Sequence, residues 1–247
     1  MTMEFNDFFY YMDGNLIAYL ALYTFENDEA EMSALVHPNY RQEGIFKKLL
    51  GEALLELRQR HISQCVWVRP HRSVITPEYL AAKNGRYTFS QVEMIAKNEP
   101  VAKELPELHL QQATRQDIVT LAEIGAICFN SSFSETHQRF LENMNEKNRL
   151  AWIASLPDGK NIGKIHVRYD EDNTAYIHDL CILPAYRGKN YATAMILKTM
   201  QMLRENGQQQ IFLDVECHNE GALRLYQQCG YVTSAGFDFW RVPTAKM

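Results

Sequence analysis

The sequence lacks several features that would assign it to a specialised class of protein. Residues 1–23 carry scattered acidic side chains and no basic cluster, so they predict neither a signal peptide nor a membrane span. The formal net charge is -5 at pH 7, and nucleic-acid binding needs a basic face, so no nucleic-acid partner is expected. The five cysteines (65, 128, 181, 217 and 229) never form a CxxC pair. That pattern favours free thiols in the cytoplasm over a metal site.

What remains is the composition of an ordinary folded protein. Hydrophobic residues make up 46% and charged residues 22% of the 247 positions. A chain of this length holds one large domain or two ordinary ones.

A strand–loop–helix unit occurs twice, which favours two domains. "LVHPNYRQEGIFKKLLGEALLELRQR" begins at Leu35, and "CILPAYRGKNYATAMILKTMQMLREN" begins at Cys181. At a constant offset of 146 the matched pairs are Val36 with Ile182, Pro38 with Pro184, Tyr40 with Tyr186 and Arg41 with Arg187. Agreement across a whole unit predicts two related domains. We predict them at 1–98 and 108–247, joined by a linker at 99–107.

The second copy has the fuller set of predicted elements. Thr114 is a plausible N-cap for a helix, a second helix is capped near Ser134, and "PDGKN" joins two strands. "YVTSAGFDFWRV" is interpreted as a closing pair of strands. The first copy begins with a hairpin around Asp13-Gly14 and has no room for the two early helices.

The loop after the strand of the second copy suits an anion. Arg187 and Lys189 supply charge, and Gly188 lets an anion approach the main chain. A helix that begins there presents unpaired backbone N–H groups at its positive end. The spacing is neither a Walker A loop nor GxGxxG, and it fits a pyrophosphate held by amides without a metal.

These residues resemble the GNAT superfamily of acyl-CoA-dependent N-acetyltransferases. "RGKNYA" after "DLCILPAY" is similar to the R/Q-x-x-G-x-G/A loop, and "LDVECHNEGALRLYQQCGY" is similar to the second signature of that family. The first copy matches the loop as "YRQEGIFKKLL", so the chain resembles a tandem GNAT protein, a two-domain plan similar to that of mycothiol synthase. The resemblance implies an α/β (α+β) fold. Each domain is expected to be a mixed, mostly antiparallel sheet flanked by helices, with the N-terminal copy truncated at its start.

The resemblance also implies a site for acetyl-CoA as acyl donor, with no metal. Main-chain groups of residues 180–182 would bind the pantetheine arm as an added strand, and amides of residues 188–193 would take the pyrophosphate. The implied cofactor residues are Leu180, Cys181, Ile182, Arg187, Gly188, Lys189, Asn190, Tyr191, Ala192, Thr193 and Asn219. Asn190 stands where the family usually has Gly, but Asn tolerates left-handed backbone. A possible second site comprises Arg41, Gly44, Ile45 and Phe46.

Three side chains are candidates for the chemistry. By its position in the second signature, Tyr226 would protonate the departing thiolate, although it could also be a core tyrosine. The acceptor amine needs a base, for which His178 and Asp214 are rivals; each could equally be structural. An amide near Ile182 would stabilise the oxyanion. Asn219 could contact pantetheine, cap its helix, or do both.

The two copies differ at the catalytic positions. The counterparts of Asn219 and Tyr226 at an offset of 145 are Val74 and Ala81, so we expect catalysis in the second copy. The predicted activity is acetyl transfer from acetyl-CoA to a small-molecule or peptide amine in a ternary complex. The alternatives are a non-catalytic acyl-CoA sensor and an aminoacyl-tRNA-dependent transferase, which the acidic charge disfavours. Phe129, Phe133 and Phe140 could line the acceptor site or fill the core. The oligomeric state is left open.

Overall fold

A computed structural model describes residues 5–24, 28–101, 104–143 and 146–247. By internal contacts the chain forms two compact units: an N-terminal unit of Met1–Gln91 with Ala235–Met247, and a C-terminal unit of Val92–Ser234. This grouping is by contact, and the domain ranges 1–98 and 108–247 stay a prediction. Residues 102 and 103 of the predicted linker lie outside the described residues. No helix among the described residues is long and apolar enough to cross a membrane.

The chain forms strands and helices in the following order. They are β1 (Asp7–Met12), β2 (Asn15–Thr24), β3 (Glu29–Val36), α1 (Ile45–Gln59), β4 (Gln64–Pro70), α2 (Pro77–Ala82), β5 (Arg86–Ala96), β6 (His109–Gln112), α3 (Ile118–Phe129), α4 (Phe133–Asn143), β7 (Arg149–Ser155), β8 (Asn161–Asp170), β9 (Thr174–Ile182), α5 (Tyr191–Glu205), β10 (Gln210–Glu216), α6 (Glu220–Gln228) and β11 (Tyr231–Pro243). Both units therefore combine a sheet with flanking helices.

The sheet of the C-terminal unit runs in the order β10-β9-β8-β7-β6. All of these neighbours are antiparallel except β9 and β10, which are parallel. Apolar residues of α5, including Met195 and Ile196, pack into one buried cluster with sheet residues such as Ile177. A second cluster joins residues of α3 and α4 to Ala151 and Ile153 of β7. The mostly antiparallel sheet flanked by helices is the predicted fold class.

The N-terminal unit repeats the same local plan in a shorter form. Strands β1, β2 and β3 are antiparallel neighbours, and β3 pairs in parallel with β4. The predicted hairpin turn is present, with φ of 49° at Asp13 and 78° at Gly14. In the described residues before α1 there is no α-helix, as the short spacing predicted.

The last strand corrects one prediction. Residues 231–243 form the single strand β11 and not a pair, and Phe237–Pro243 pair continuously with β4. Gly236, in the middle of this strand, allows close packing: a Cβ there would lie 2.3 Å from Nδ1 of His71.

Other local predictions hold. Thr114 forms a capping box with Asp117, and the "PDGKN" hairpin joins β7 to β8. All five cysteines are free, with residues 65, 181 and 229 buried.

Candidate active site

The loop between β9 and α5 has two left-handed residues, Gly188 with φ of 75° and Asn190 with φ of 62°. Asn190 therefore adopts the conformation that its residue type allows. Nε of Arg187 donates a hydrogen bond to the carbonyl oxygen of Ile182 at 2.9 Å. That bond ties the loop to the end of β9 and fixes where the helix begins.

The first turn of α5 offers backbone donors to a ligand. The amide of Ala194 bonds to the Asn190 carbonyl at 3.0 Å, so the amides of residues 191–193 precede the helical ladder. A cleft of about 290 Å³ opens in front of them. The described residues that line it include seven of the predicted set: Ile182, Arg187, Gly188, Asn190, Tyr191, Ala192 and Thr193.

Helix α6 forms another wall of the cleft, which the sequence reasoning missed. Gly221, Arg224, Leu225 and Gln228 line the cleft. Their spacing of three and four residues places them on one face of a helix, and that periodicity was the available signal. The guanidinium of Arg224 pairs with Glu220 at 3.0 Å and is two-thirds exposed, so it can turn toward an anionic ligand.

Strand β9 leaves one edge open where a pantetheine arm was predicted. Its parallel ladder with β10 runs from Thr174–Gln210 to Ile177–Leu213. Beyond that point, within the described residues, β9 continues to Ile182 paired only with β8. Apart from the Ile182 carbonyl, which accepts from Arg187, the backbone groups of residues 178–182 that face away from β8 are therefore available to an added strand.

A bulge interrupts β9 at the same place. The register between β8 and β9 shifts between Lys164 and His166, and Asp179 has φ of 49°. A left-handed residue inside a strand redirects the main chain that follows it. Here the residues that follow are Leu180 and Cys181, two of those predicted to bind the donor.

Tyr226 and Asn219 lie on and beside α6. The Tyr226 side chain packs at the edge of the main core, and its ring centroid is 6.0 Å from that of Tyr231. Burial raises the pKa of Tyr226 to about 12, so the phenol stays protonated at neutral pH. Oδ1 of Asn219 accepts a hydrogen bond from the Ala222 amide at 3.1 Å, so the predicted cap is present.

The two base candidates have different environments. His178 is half-buried, and its Nε2 is buried without a hydrogen-bond partner among the described residues. Burial lowers the pKa of His178 to about 4. Asp214 is exposed at the point where the β9–β10 ladder ends. Neither residue lines the cleft at α5.

A buried charged cluster lies beside His178. The Lys164 side chain is fully buried, with Nζ 3.7 Å from Oδ2 of Asp179 and 3.4 Å from Nε2 of His166. Burial lowers the pKa of Lys164. It also lowers that of His166 well below the usual value, together with the charge of Lys164. Lys164 and His166 are two residues apart on β8 and so share one face of the strand. A lysine inside an apolar strand was the signal for this cluster.

The phenylalanines of the early helices have mixed roles. Phe140 is 1% exposed and fills the core, whereas Phe129 and Phe133 are each 45% exposed. Core filling therefore describes Phe140 alone.

The loop of the N-terminal unit has the same local geometry. Gln42 has φ of 67° and Gly44 has φ of 76°, and Nε of Arg41 donates to the Val36 carbonyl at 3.2 Å. A larger pocket of about 690 Å³ lies in front of α1 and is lined by all four predicted second-site residues, Arg41, Gly44, Ile45 and Phe46.

The N-terminal copy differs from the other copy at the predicted catalytic positions. Strand β3 pairs with β2 without a register shift, and α2 is confined to Pro77–Ala82. Its Leu80 is fully buried, and no tyrosine stands at the position that corresponds to Tyr226.

Comparison with known proteins gives these features a context. The sequence model of the acetyltransferase (GNAT) family matches residues 4–75 and 118–231. The uncharacterised N-acetyltransferase YdgE of Bacillus subtilis is 26% identical over 132 residues, covering 50% of this chain and 81% of YdgE. The chain also matches three further curated N-acetyltransferases, and it spans 40–55% of the length of each.

Two solved structures share the fold over nearly the whole chain. A GCN5-related N-acetyltransferase from Sphaerobacter thermophilus has a TM-score of 0.75 at 18% identity and covers 94% of this chain and 78% of its own. A tandem GNAT protein from the clavulanic acid biosynthesis pathway has a TM-score of 0.73 at 15% identity, covering 96% of this chain and 82% of its own. The tandem resemblance of the sequence is thus matched in three dimensions. Since the family model covers well over half of its residues, the chain belongs to the acetyltransferase (GNAT) family.

Proposed function

We propose that the protein transfers the acetyl group of acetyl-CoA to an amine, and that the C-terminal unit performs the reaction. One observation carries this proposal: the cleft at the start of α5 adjoins the open edge of β9. A diphosphate fits the first feature and a pantetheine amide chain fits the second.

The residues of this unit can each be given a task. Amides of residues 188–193 hold the pyrophosphate, aided by the charges of Arg187 and Lys189. Main-chain groups of Leu180, Cys181 and Ile182 hold the pantetheine arm, and an amide near Ile182 stabilises the oxyanion. Amine attack forms the C–N bond, the C–S bond breaks, and Tyr226 gives its proton to the departing thiolate.

The base role is best assigned to Asp214. Nε2 of His178 is buried without a hydrogen-bond partner among the described residues, so it is closed to solvent. Asp214 is exposed to solvent and can take the amine proton directly or through water. His178 remains the alternative base.

Calorimetric titration with acetyl-CoA tests the donor site. Gly188 and Gly44 make a matched pair, because they have φ of 75° and 76° and open space around a built Cβ. Valine is strained in that conformation, so Gly188→Val should weaken binding at the C-terminal unit and abolish transfer to amines. Gly44→Val should leave transfer intact. Full transfer by Gly188→Val would contradict the proposal.

A second function is favoured by the pocket of the N-terminal unit. Its volume of about 690 Å³ and its apolar walls, which include Met32, Phe46 and Trp67, suit a CoA thioester with a longer acyl group than acetyl. Without a counterpart of Tyr226, this unit would bind the thioester and not transfer its acyl group.

A chain-length series from acetyl-CoA to dodecanoyl-CoA tests that function. Binding at a second site should tighten with chain length and disappear in Gly44→Val, while Gly188→Val should retain it. A single site for every chain length would contradict a second acyl-CoA site.

The acceptor is proposed to be a small-molecule or peptide amine, since the family is one of N-acetyltransferases. The cytoplasmic location and the absence of a nucleic-acid partner stay predictions. Retention on an RNA column at moderate salt would support the aminoacyl-tRNA alternative instead.

A further inference from the structure

Lys164 lies in an unusual place for a lysine. Its side chain is 0% exposed in the middle of β8, with Nζ 4.4 Å from the ring centroid of Phe140. Burying an ammonium group is costly unless a negative partner compensates for the lost water. The carboxylate of Asp179, 3.7 Å away, is that partner.

The packing around Lys164 accommodates it. Gly125 of α3 faces the lysine, and a Cβ at Gly125 would lie 3.3 Å from Cε of Lys164 and 3.0 Å from Cγ2 of Thr136. A larger residue would crowd the lysine stem. The glycine in α3 therefore leaves space for the buried lysine side chain.

Asp179 is the residue at which β9 departs from regular geometry. Its φ of 49° is left-handed, a conformation that residues other than Gly, Asn and Asp rarely adopt. Nη2 of Arg139 lies 3.9 Å from the same carboxylate oxygen, Oδ2, that faces Lys164. Burial would raise the pKa of Asp179, but Lys164, both neighbouring histidines and Arg139 hold it below its usual value.

We propose that Lys164 is a positioning residue, which holds the Asp179 carboxylate and thereby the bulge that aims the following main-chain amides of β9 at the acyl group. The inference rests on the function proposed above, because those amides belong to the donor site. Lys164 itself touches no part of the cleft at α5.

The same cluster has the donor types of a metal site. Ligand atoms of His166, His178 and Asp179 lie within 4.8 Å of one another. The ammonium of Lys164 already lies between two of these groups and supplies positive charge. A metal ion there would be repelled by Lys164 and by Arg139, so the geometry favours these side chains as the partners of Asp179.

Lys164→Met, which keeps the stem and removes the charge, is the first test. We expect kcat to fall by about 10- to 100-fold, since misplacing one oxyanion donor has effects of that size. The KM and the calorimetric Kd for acetyl-CoA should rise by a smaller factor than kcat falls, since the α5 loop that holds the pyrophosphate is untouched while the main chain of residues 180–182 shifts. Lys198→Met is the control, because Lys198 is an exposed lysine of the same unit whose Nζ donates a hydrogen bond to the Leu108 carbonyl; its kcat should be unchanged.

Asp179→Asn provides a second variant should Lys164→Met not fold. It should show the same loss of kcat with a smaller rise in KM, and the double variant should lose no more than either single variant, because both remove one interaction. Additive losses would overturn the inference, as would unchanged kcat in both single variants.

A crystal structure of Lys164→Met gives a readout that does not depend on activity. We expect Asp179 to leave the left-handed region. An Asp179 that keeps φ near 49° overturns the inference even if the wild-type protein transfers no acetyl group, an outcome that would refute only the proposed function.

Discussion

Tyr226 carries its proton throughout the neutral range, so a proton is available for the departing thiolate. Burial sets its pKa at about 12, so the phenol should remain protonated, and competent as an acid, throughout the neutral range. We expect Tyr226→Phe to lower kcat by about 10²-fold, the usual size of a lost general acid. Steady-state kinetics would measure this, with acetyl-CoA binding measured separately by calorimetry.

Tyr231 offers the control for that substitution. Its hydroxyl is buried without a hydrogen-bond partner among the described residues, so Tyr231→Phe removes an equal hydroxyl nearby and should leave kcat unchanged. If both variants kept full activity, Tyr226 would be a core tyrosine, as its position at the edge of the core also permits.

His178 should make the folded state sensitive to acid. Burial lowers its pKa to about 4 from the usual 6.5, and nearby cations oppose its protonation further. Between these values the unfolded chain binds more protons than the folded one, so stability should fall as pH falls from 6.5 toward 4. Urea unfolding at pH 7, 6 and 5 measures the slope. His178→Asn should flatten it, whereas a variant at the exposed His218 should not.

The sequence predicts the conformation and contacts of some residues better than those of others. The caps at Thr114 and Asn219 and the left-handed Asn190 depend on bonds within a few residues, so their residue types predicted them. The ion pair of Lys164 with Asp179 joins two strands through a register shift that no local pattern encodes. The contacts within the buried cluster were therefore found only in three dimensions, although the lysine inside an apolar strand was a signal for the cluster.

The turn from α6 into β11 depends on one glycine. Gly230 has φ of 91°, and a Cβ there would lie 2.2 Å from the carbonyl oxygen of Asn98. Gly207, after α5, has φ of 84° with open space around it. Gly230→Ala should therefore cost about 3 kcal/mol or more through strain and clash, and Gly207→Ala about 1 kcal/mol through strain alone. Equal urea midpoints for the two variants would contradict this reading of the turn.

Regular elements were predicted well where period and turn chemistry agree. The hairpin at Asp13-Gly14 and the strand–loop–helix unit at residues 181–206 follow from short-range patterns. Strand β11 was predicted as a pair of strands, and the structure has one. Gly236 lies within it beside the ring of His71, a residue far away in the sequence.

At the scale of the whole chain, residues 235–247 group with residues 1–91 and not with the residues just before them. The repeat predicted two related domains, and the family match agrees with it. No sequence pattern indicated that Phe237–Pro243 would pair with β4, because strand pairing at such separation depends on the completed sheet. The alternation of side chains along residues 235–243 is the same whichever strand they pair with, so it does not identify the partner strand.

Asp238 holds this segment in the N-terminal unit. Its carboxylate accepts from Nη1 of Arg69 at 2.6 Å, Oγ of Ser90 at 2.6 Å and Nε2 of His71 at 3.0 Å. Burial would raise the Asp238 pKa, but these partners hold it below the usual value. The stabilisation is therefore present above about pH 4 and is lost as pH falls through the lowered pKa.

Asp238→Asn should destabilise the N-terminal unit by about 2 kcal/mol, because charge-assisted hydrogen bonds are replaced by neutral ones. Trp67 and Trp240 lie in this unit and Trp152 in the other, so Trp152→Phe makes fluorescence report the N-terminal unit alone. In that background Asp238→Asn should lower the urea midpoint. Asp170→Asn, which breaks a more exposed pair with Arg168, should leave it unchanged. If Asp238→Asn also left the urea midpoint unchanged, the Asp238 carboxylate would not be the group that holds residues 235–247 against β4.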